Sequence, residues 1–334
     1  MTVLGFDIGG ANLKAADSRG RCASRPFAIW RSPDSLADEL RTLESRIPGA
    51  NSIAVTMTAE LADCYSTKTE GVARILAAVQ EVAGARPVQV WLTSGEFVTP
   101  AEAIARPLAV AASNWHALAT WTARWTGNEP GLLMDIGTTT TDLIPIDAGR
   151  PSTIGMTDVT RMMACELVYT GVRRTPLCAV TATVPFLGST CPLAAELFAT
   201  TLDVYLLLGD ISEDATDLES ANGQPATRAA AHDRLARQLC CDRLELNLTE
   251  ATGIARHIAN RQSDQIMRAL DSVLSHRDRR RTVIVSGSGC FLARRIIERH
   301  PQLAETRIVD LTQQFGPDLA GAACAHAVAV LALG

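Results

Sequence analysis

The sequence lacks the features that define several common classes of protein. Aromatic residues make up 4% of its 334 residues, and the net charge is -5, so there is no basic excess of the kind that nucleic-acid binding needs. The one basic run, 276–281, is interpreted as a solvated helix end or loop. No apolar run reaches the roughly 18 residues of a membrane helix, and no secretory signal opens the chain. These absences predict a cytoplasmic protein with no nucleic-acid or membrane partner.

The nine cysteines also lack a defining pattern. None forms a CxxC pair, and they lie inside apolar segments or next to each other, as Cys240 and Cys241 do. Zinc sites usually need such paired spacing, so the sequence argues against zinc. Reduced, buried thiols in a cytoplasmic protein explain these cysteines best.

Length and hydrophobic pattern indicate the fold class. A chain of 334 residues that is 47% hydrophobic is too long for one ordinary core, so two lobes are expected. Short apolar runs alternate with helical patterns, which is typical of α/β proteins. The predicted helices include 114–125, 191–208 and 317–333. Predicted hairpins near the start of each half indicate mixed sheets.

An internal repeat organises the chain. "LGFDIGGANLK" (4–14) and "LLMDIGTTTTDLIPI" (132–146) both read as strand, Asp-Ile-Gly turn and strand, about 130 residues apart. That period is far too long for a solenoid. It predicts a duplicated domain with a cleft between the copies. The first lobe would span 1–127, with the closing helix 317–334 packing back on it, and the second lobe would span 128–316.

The repeated turn has a chemistry suited to phosphate. Glycine lets the backbone approach a ligand, and threonine hydroxyls add hydrogen-bond donors to the backbone N–H groups. A carboxylate at the strand end would repel phosphate unless a cation lies between them. Asp7 and Asp135 therefore predict Mg²⁺, bound directly or through water. Two such turns that face each other would hold one polyphosphate from both sides.

Three segments resemble the actin/sugar-kinase/heat-shock-70 superfamily. They are "GFDIGGANLKAAD", "LLMDIGTTTTDLIPI" and "VIVSGSGCFLARRI". The resemblance implies a duplicated, actin-like and ribonuclease-H-like two-lobed α/β fold with mixed sheets and an interlobe cleft. Beside Asp7 and Asp135, the residues that it implies for phosphate or nucleoside binding are Gly9, Gly10, Asn12, Lys14, Gly137, Thr138, Thr139, Thr140, Thr141, Gly287, Ser288 and Gly289.

Four other segments, 56–72, 113–120, 166–176 and 196–209, resemble the hydantoinase/oxoprolinase-like branch of that superfamily. This branch is found with tetrahydromethanopterin-linked one-carbon transfer. Its archaeal members join an aminomethyl-furan methyl diphosphate to the phenol of γ-glutamyltyramine, releasing diphosphate, in methanofuran synthesis. The resemblance implies a transferase that acts on a small diphosphate and a phenolic acceptor, which is tyramine, tyrosine or a glutamylated form.

The loop that follows the predicted strand 52–58 offers catalytic candidates. A phenol has an ordinary pKa near 10, so a nearby base or cation would help to form the phenolate. Glu60 and Lys68 join Asp7 and Asp135 as predicted catalytic residues, and Thr58 and Asp63 are predicted substrate contacts. The alternatives are that Lys68 solvates the start of its helix and that Glu60 and Asp63 are ordinary surface residues.

Further substrate contacts are predicted at Asn114 and Arg174. Asn114 begins a helix, where a capping role is an equal alternative. Arg174, or its neighbour Arg173, could bind an anionic tail such as a glutamyl carboxylate, with surface solvation as the competitor. Trp115, on the same helix as Asn114, is interpreted as a packing residue.

Two other activities stay open. An ATP-dependent small-molecule kinase is suggested by "DIGGANLK", which is close to the "DIGGTNLK" of bacterial sugar kinases. However, Trp115 stands where those kinases carry their catalytic Asp, and their Cys/His zinc segment is missing. ATP-driven amide or hydantoin hydrolysis is the other alternative, but those enzymes are much longer. ATP binding is therefore open but not favoured. The oligomeric state is also open, with a homodimer as one alternative because relatives often pair.

Overall fold

The computed structural model describes residues 1–275 and 277–334. His276, the first residue of the basic run, lies outside the described residues. Later in that run, Arg280 is buried and its guanidinium donates to a carboxylate oxygen of Asp147 (2.6 Å) and to the carbonyl of Gly131 (3.2 Å). The interpretation of the run as solvated is therefore wrong at Arg280. No helix within the described ranges is both long and apolar enough to span a membrane.

The first lobe is built on a mixed sheet, named the first sheet. Its strands are β1 (Val3–Ile8), β2 (Asn12–Asp17), β3 (Cys22–Pro26), β4 (Ser52–Met57), β5 (Val88–Trp91) and β6 (Phe97–Val98). They lie in the order β3-β2-β1-β4-β5-β6, with β1, β4 and β5 parallel to one another. The helices of this half are α1 (Leu36–Ser45), α2 (Lys68–Ala83), α3 (Pro100–Ala105), α4 (Pro107–Val110) and α5 (Asn114–Thr122), with 3₁₀ turns at Pro33–Ser35 and Ala123–Trp125.

The second lobe is built on another mixed sheet, named the second sheet. The strands of this half are β7 (Gly131–Ile136), β8 (Thr141–Asp147), β9 (Arg150–Pro151), β10 (Leu167–Val168), the separate hairpin β11 (Thr183–Phe186) and β12 (Ser189–Pro192), and then β13 (Thr282–Ser286) and β14 (Arg307–Asp310). The sheet order is β10-β8-β7-β13-β14, and β9 pairs with β8. The helices are α6 (Asp158–Met163), α7 (Leu177–Val180), α8 (Thr201–Leu208), α9 (Arg228–Gln238), α10 (Leu248–Leu274), α11 (Cys290–Arg299), α12 (Leu311–Gly321) and α13 (Ala323–Leu331).

The two sheets repeat one topology. In each, a hairpin (β1-β2 or β7-β8) is extended on its second strand, and two parallel strands (β4-β5 or β13-β14) follow on the other side of its first strand. The prediction of a duplicated, two-lobed α/β fold with mixed sheets is confirmed. The domain boundaries after residues 127 and 316 stay predictions.

Alternation along the first strand of each hairpin explains how the layers form. In β1, Leu4, Phe6 and Ile8 face the apolar core shared with α1 and α2, whereas Val3 packs with α13. Successive strand residues point to opposite faces, so Asp7 lies on the same face as Val3. In β7, Leu133 packs with α5 and α13, and its neighbour two residues on, Asp135, shares that face. Both carboxylates therefore point toward the helices between the sheets.

The last helix of the chain packs on the first sheet. α13 lies against β1, β2, β4 and α5. Gly5 of β1 permits this contact, because a Cβ there would lie 1.9 Å from the carbonyl oxygen of Ala325. The Nδ1 atom of His326 is 2.9 Å from the carbonyl oxygen of Asp17 at the end of β2. Tight backbone packing joins the two ends of the sequence.

Two predicted helices differ from those in the structure. The prediction of helix 191–208 is wrong before Thr201, because 189–192 pairs in a hairpin and the helix begins after Thr200, whose backbone N–H donates to the Asp203 carboxylate (2.9 Å). The predicted helix 317–333 is interrupted at Ala322 (φ -108°, ψ 21°), so it comprises the end of α12 and the whole of α13. Gly316, with a φ of 79°, and Pro317 produce a separate kink inside α12, just where the predicted helix begins.

Candidate active site

The two hairpins present turns of the same geometry. In the first, the N–H of Gly9 donates to the carbonyl of Asn12 (3.1 Å). In the second, the N–H of Gly137 donates to the carbonyl of Thr140 (2.8 Å). Gly9 is required by this closure, because a Cβ there would lie 2.8 Å from the Asn12 carbonyl oxygen. The repeat seen in the sequence is thus also a repeat of backbone hydrogen bonding.

Both turns line one cavity of about 560 Å³ that lies between the sheets. It brings together most of the residues that the sequence predicted for the site. Those that line it are Asp7, Gly9, Gly10, Asn12, Lys14, Thr58, Asn114, Asp135, Gly137, Thr138, Thr139, Thr140, Arg174, Gly287 and Ser288. A ligand in this cavity would contact the ends of both hairpins at once.

A carboxylate and an ammonium face each other across the first hairpin. Asp7 and Lys14 are cross-strand partners, and the Lys14 Nζ is 3.8 Å from the Asp7 Oδ2. Burial raises the pKa of Asp7 above its ordinary value, and Lys14 opposes that rise. The Asp7 Oδ1 is buried without a hydrogen-bond partner among the described residues. This oxygen is a free ligand for a cation or a donor.

Two carboxylates face each other across the second hairpin. Asp135 pairs in register with Asp142, which also lines the cavity. Burial, with the Asp142 charge as the next cause, raises the pKa of Asp135 to about 7, while Lys14 and a hydrogen bond from Ser286 oppose the rise. Sequence reasoning missed Asp142. The signal was available, because the antiparallel register of a hairpin closed by Gly137 and Thr140 pairs these two positions.

A buried arginine completes the charge distribution. Arg161 of α6 lines the cavity with only 1% of its surface exposed, and its Nη2 donates to Asp142 (2.6 Å). Its guanidinium lies 4.0 Å from the centre of the Trp115 ring, within the range of a cation–π contact. Asp158, at the start of α6, also lines the cavity, and burial raises its pKa while Arg161 opposes. No motif in the sequence marked Arg161 or Asp158.

The Gly-Ser-Gly turn after β13 has a counterpart in the first sheet. The N–H of Gly289 donates to the carbonyl of Ile136 (2.8 Å), and the N–H of Thr58 donates to the carbonyl of Ile8 (2.9 Å). Gly287 has a φ of 85°, and a Cβ there would lie 2.3 Å from the Ile136 carbonyl oxygen. Gly289 does not line the cavity; it packs against Ile136 and begins α11.

Other predicted residues also lie outside the cavity lining. Thr141 is fully buried, and its hydroxyl donates to the carbonyl of Thr170 (2.8 Å), so it is not free to bind phosphate. Asp63 is exposed on the loop after β4. Lys68 is the first residue of α2, behind the N-cap Thr67. The structure does not bring these side chains to the two turns.

Glu60 occupies an intermediate position. It is buried, does not line the cavity, and lies near Asp158 and Ala112, which do. Burial raises the pKa of Glu60 to about 7, and the charge of Lys68 opposes the rise. Its Oε2 has no hydrogen-bond partner in the described chain. Glu60 is therefore a buried carboxyl group with a raised pKa that lies close to residues of the cavity lining.

The two adjacent arginines have different surroundings. Arg173 pairs with Asp217 and does not line the cavity. Arg174 is exposed, lines the cavity and lies 6.0 Å from the centre of the Trp30 ring. Trp30 was missed because nothing in its local sequence links it to the site. Asn114 is the first residue of α5, and its side-chain oxygen accepts the N–H of Trp115 (2.8 Å).

The donor set fits Mg²⁺ only together with a ligand. The described residues include no group of three or more His, Cys, Asp or Glu side chains that could hold a metal alone. Mg²⁺ usually keeps several waters and binds one or two carboxylates plus substrate phosphates. The unpartnered oxygen of Asp7, with Asp135 in the same cavity, provides that smaller set.

Comparison with known proteins identifies relatives over nearly the whole chain. The hydantoinase/oxoprolinase family model matches residues 51–330. The chain is 33% identical over 332 residues to the (4-{4-[2-(gamma-L-glutamylamino)ethyl]phenoxymethyl}furan-2-yl)methanamine synthase of Methanocaldococcus jannaschii, covering 98% of this chain and 97% of that protein. A protein of the same name from Methanococcus vannielii is 28% identical over 200 residues, which are 60% of this chain and 89% of that protein.

A solved structure supports the fold. The nucleotide-free acetone carboxylase aligns over 98% of this chain and 70% of its own, with a TM-score of 0.54 and 11% identity. At that identity the likeness concerns the fold alone. Both curated relatives are named as synthases, and one aligns over nearly the whole of both chains, which supports an enzymatic role for this chain.

Proposed function

The chain belongs to the hydantoinase/oxoprolinase family, and from that membership we propose that it condenses an aminomethyl-furan methyl diphosphate with the phenol of a tyramine-type acceptor, releasing diphosphate. The name of the M. jannaschii relative describes a phenol joined through an ether to a furan methylene. The proposed product has the same bond. It would serve the synthesis of a methanofuran-type cofactor of one-carbon metabolism.

The observation that carries this proposal is the pair of matching turns at one cavity. The Gly9–Asn12 and Gly137–Thr140 turns offer backbone N–H groups and small polar side chains from both sides. Such nests suit phosphate oxygens, and the ammonium of Lys14 would add a charge-assisted hydrogen bond. Asp7 and Asp135 would hold Mg²⁺, which when bound would act as a Lewis acid on the diphosphate.

The reaction breaks one carbon–oxygen bond and forms another. The bond between the furan methylene and the diphosphate breaks, and its electron pair leaves with the diphosphate. The phenolic oxygen then bonds to that carbon, and its proton passes to a base. The turns and Lys14 would stabilise the charge that develops on the leaving group, because they line the same cavity from both hairpins.

The proton acceptor that we favour is Asp158. It lines the cavity, while Asp7 and Asp142 already face Lys14 and Arg161. Glu60 lies near Asp158. It would accept the phenol proton from Asp158 in a second step, or influence the ionisation of Asp158 through its own charge. Asp158 takes the place of Glu60 as the favoured base, because Glu60 does not line the cavity.

A direct assay tests the proposal. Purified protein with Mg²⁺ receives the furan diphosphate and tyramine, tyrosine or γ-glutamyltyramine, and mass spectrometry measures the ether while a coupled assay measures diphosphate. We expect one diphosphate for each ether formed. A parallel mixture contains ATP and candidate sugars. Production of ADP there, with no ether in the first mixture, would favour the kinase alternative and contradict the proposal.

A further inference from the structure

Residues 27–29 are hydrogen-bonded to the turn of the first hairpin. The N–H of Phe27 donates to the carbonyl of Ala11 (2.9 Å), and the N–H of Ile29 donates to the carbonyl of Gly10 (3.1 Å). These bonds tie residues 27–29 to the turn itself. The next residue, Trp30, is therefore held at a fixed distance from any ligand of that turn.

A second segment is fastened to the other turn in a similar way. The N–H of Val172 donates to the carbonyl of Gly137 (3.0 Å), and the N–H of Arg174 donates to the carbonyl of Thr138 (3.0 Å). Gly171 allows this approach, because a Cβ there would lie 2.5 Å from Thr138 backbone atoms. Arg174 is thus held by the second turn as Trp30 is by the first.

The side chains of Trp30 and Arg174 lie near each other in the lining of the cavity. The Arg174 guanidinium carbon is 6.0 Å from the centre of the Trp30 ring, which is the outer limit of a cation–π contact. Both line the cavity, and Trp30 is 37% exposed. Such a contact is weak enough to be exchanged for a ligand.

Arg174 differs from the other cations of the cavity. Lys14 faces Asp7, and Arg161 donates to Asp142. Arg174 makes no ion pair within the described part of the chain. It is the cavity guanidinium that a ligand carboxylate can engage without breaking a bond inside the protein.

We propose that Trp30 and Arg174 form the acceptor subsite, where the Trp30 ring packs on the phenol ring and the Arg174 guanidinium binds the carboxylate of a γ-glutamyl tail. This inference rests on the proposed function and specifies its acceptor. The α-carboxylate of a γ-glutamyl amide is free to form a bidentate pair with arginine. Because both residues are tied to the diphosphate turns, they set the position of the acceptor relative to the leaving group.

The first test compares two acceptors that differ only in the tail. In Arg174→Gln, we expect the KM for γ-glutamyltyramine to rise roughly 10-fold to 100-fold, the range for loss of a charged hydrogen bond. The KM for tyramine, which has no carboxylate, should stay within about twofold of the wild type, given that tyramine makes no such bond. Arg174→Lys should restore part of the loss. Arg173→Gln is the matched control, because Arg173 pairs with Asp217 and lies outside the cavity lining.

The second test separates ring from tail. Trp30→Ala should raise the KM for both acceptors by a similar factor, since both carry the phenol ring. Trp30→Phe, which keeps an aromatic face, should restore most of the affinity. In each variant the KM for the furan diphosphate should change little, which a general loss of folding would not reproduce.

Results that contradict the acceptor subsite can be distinguished from results that contradict the proposed function. Equal effects of Arg174→Gln on both acceptors, or no effect on either, would overturn the tail-binding role. Absence of ether with the wild type would instead refute the proposed function. In that case, calorimetric titration of γ-glutamyltyramine and tyramine, with Mg²⁺ and inorganic diphosphate present, still decides the inference. A preference for the glutamyl compound that Arg174→Gln removes supports it, and its absence overturns it.

Discussion

The two hairpins share a backbone but not a charge pattern. In each, an aspartate lies two residues before a glycine whose N–H closes the turn. The residue opposite that aspartate is Lys14 in the first hairpin and Asp142 in the second. The first hairpin therefore contains its own countercharge, and the second places two like charges side by side, which is destabilising in isolation.

In the second hairpin, the positive charge that faces Asp142 comes from a residue outside the hairpin. Arg161, on α6, reaches Asp142 and is itself almost fully buried. The backbone bonds that close the turns do not depend on the cross-strand side chains, so those positions could change while the turns stayed the same. The comparison shows that the two hairpins share the backbone of their turns, whereas the charges beside those turns differ.

The largest expected effect comes from replacing Asp7 or Asp135, the aspartates at equivalent positions of the two hairpins. Asp7→Asn and Asp135→Asn should each lower kcat by roughly 10²-fold to 10³-fold, as loss of one preorganised electrostatic contact does. Circular dichroism and steady-state kinetics would measure fold and turnover. The control is Asp38→Asn, which changes a carboxylate on α1 that is 80% exposed. A wild-type rate in either site variant would remove that aspartate from the mechanism.

Alanine at the two cross-strand positions should separate folding from activity. Asp142→Ala leaves Arg161 buried without its partner, so we expect the free energy of unfolding to fall by about 3 kcal/mol. Lys14→Ala should cost under about 1 kcal/mol, because that side chain is 35% exposed and its pair is long. Its kcat/KM for the furan diphosphate should nevertheless fall roughly 10-fold or more.

Urea denaturation and steady-state kinetics on the same preparations would check this pair. If the two variants lost equal stability, the second hairpin would not depend on Arg161 as its contacts indicate.

The smallest effect concerns pH in the ligand-free protein. Burial and Asp142 raise the pKa of Asp135 from 3.8 to about 7. A raised pKa means that the folded state holds the proton more tightly, so this contribution to stability is complete below the unfolded pKa and is lost as the pH rises through the folded one. The Tm of Asp135→Asn should therefore fall less than that of the wild type between about pH 4 and 7. If calorimetry showed the same change of Tm with pH for Asp135→Asn and the wild type, that result would contradict the raised pKa of Asp135.

The sequence alone predicted the features that recur in it. The Asp-Ile-Gly turns at 7–9 and 135–137 predicted the duplication, because the same strand, turn and strand pattern occurs twice in matching positions. The resemblance to the hydantoinase/oxoprolinase branch is confirmed by the family match over 51–330. The residues predicted for phosphate binding mostly line one cavity, although their roles stay predictions.

What the sequence missed depends on contacts between distant segments. Arg161 and Trp30 carry no motif, and only the packing of α6 and the bonds of 27–29 to the first turn bring them to the cavity. Thr141 and Gly289 show the opposite case. Both lie within motifs, but neither lines the cavity. The Thr141 hydroxyl donates a buried hydrogen bond to the carbonyl of Thr170, and Gly289 packs against Ile136.

The contact of α13 with the first sheet has a consequence for biosynthesis. His326 meets the carbonyl of Asp17, 309 residues earlier. At about 5 to 20 residues per second, a ribosome makes the second position roughly 15 to 60 s after the first. Throughout that interval the face of β1 that carries Asp7 lacks its covering helix. The nascent first sheet therefore lacks the contacts of α13 with β1, β2 and β4 until that helix has been made.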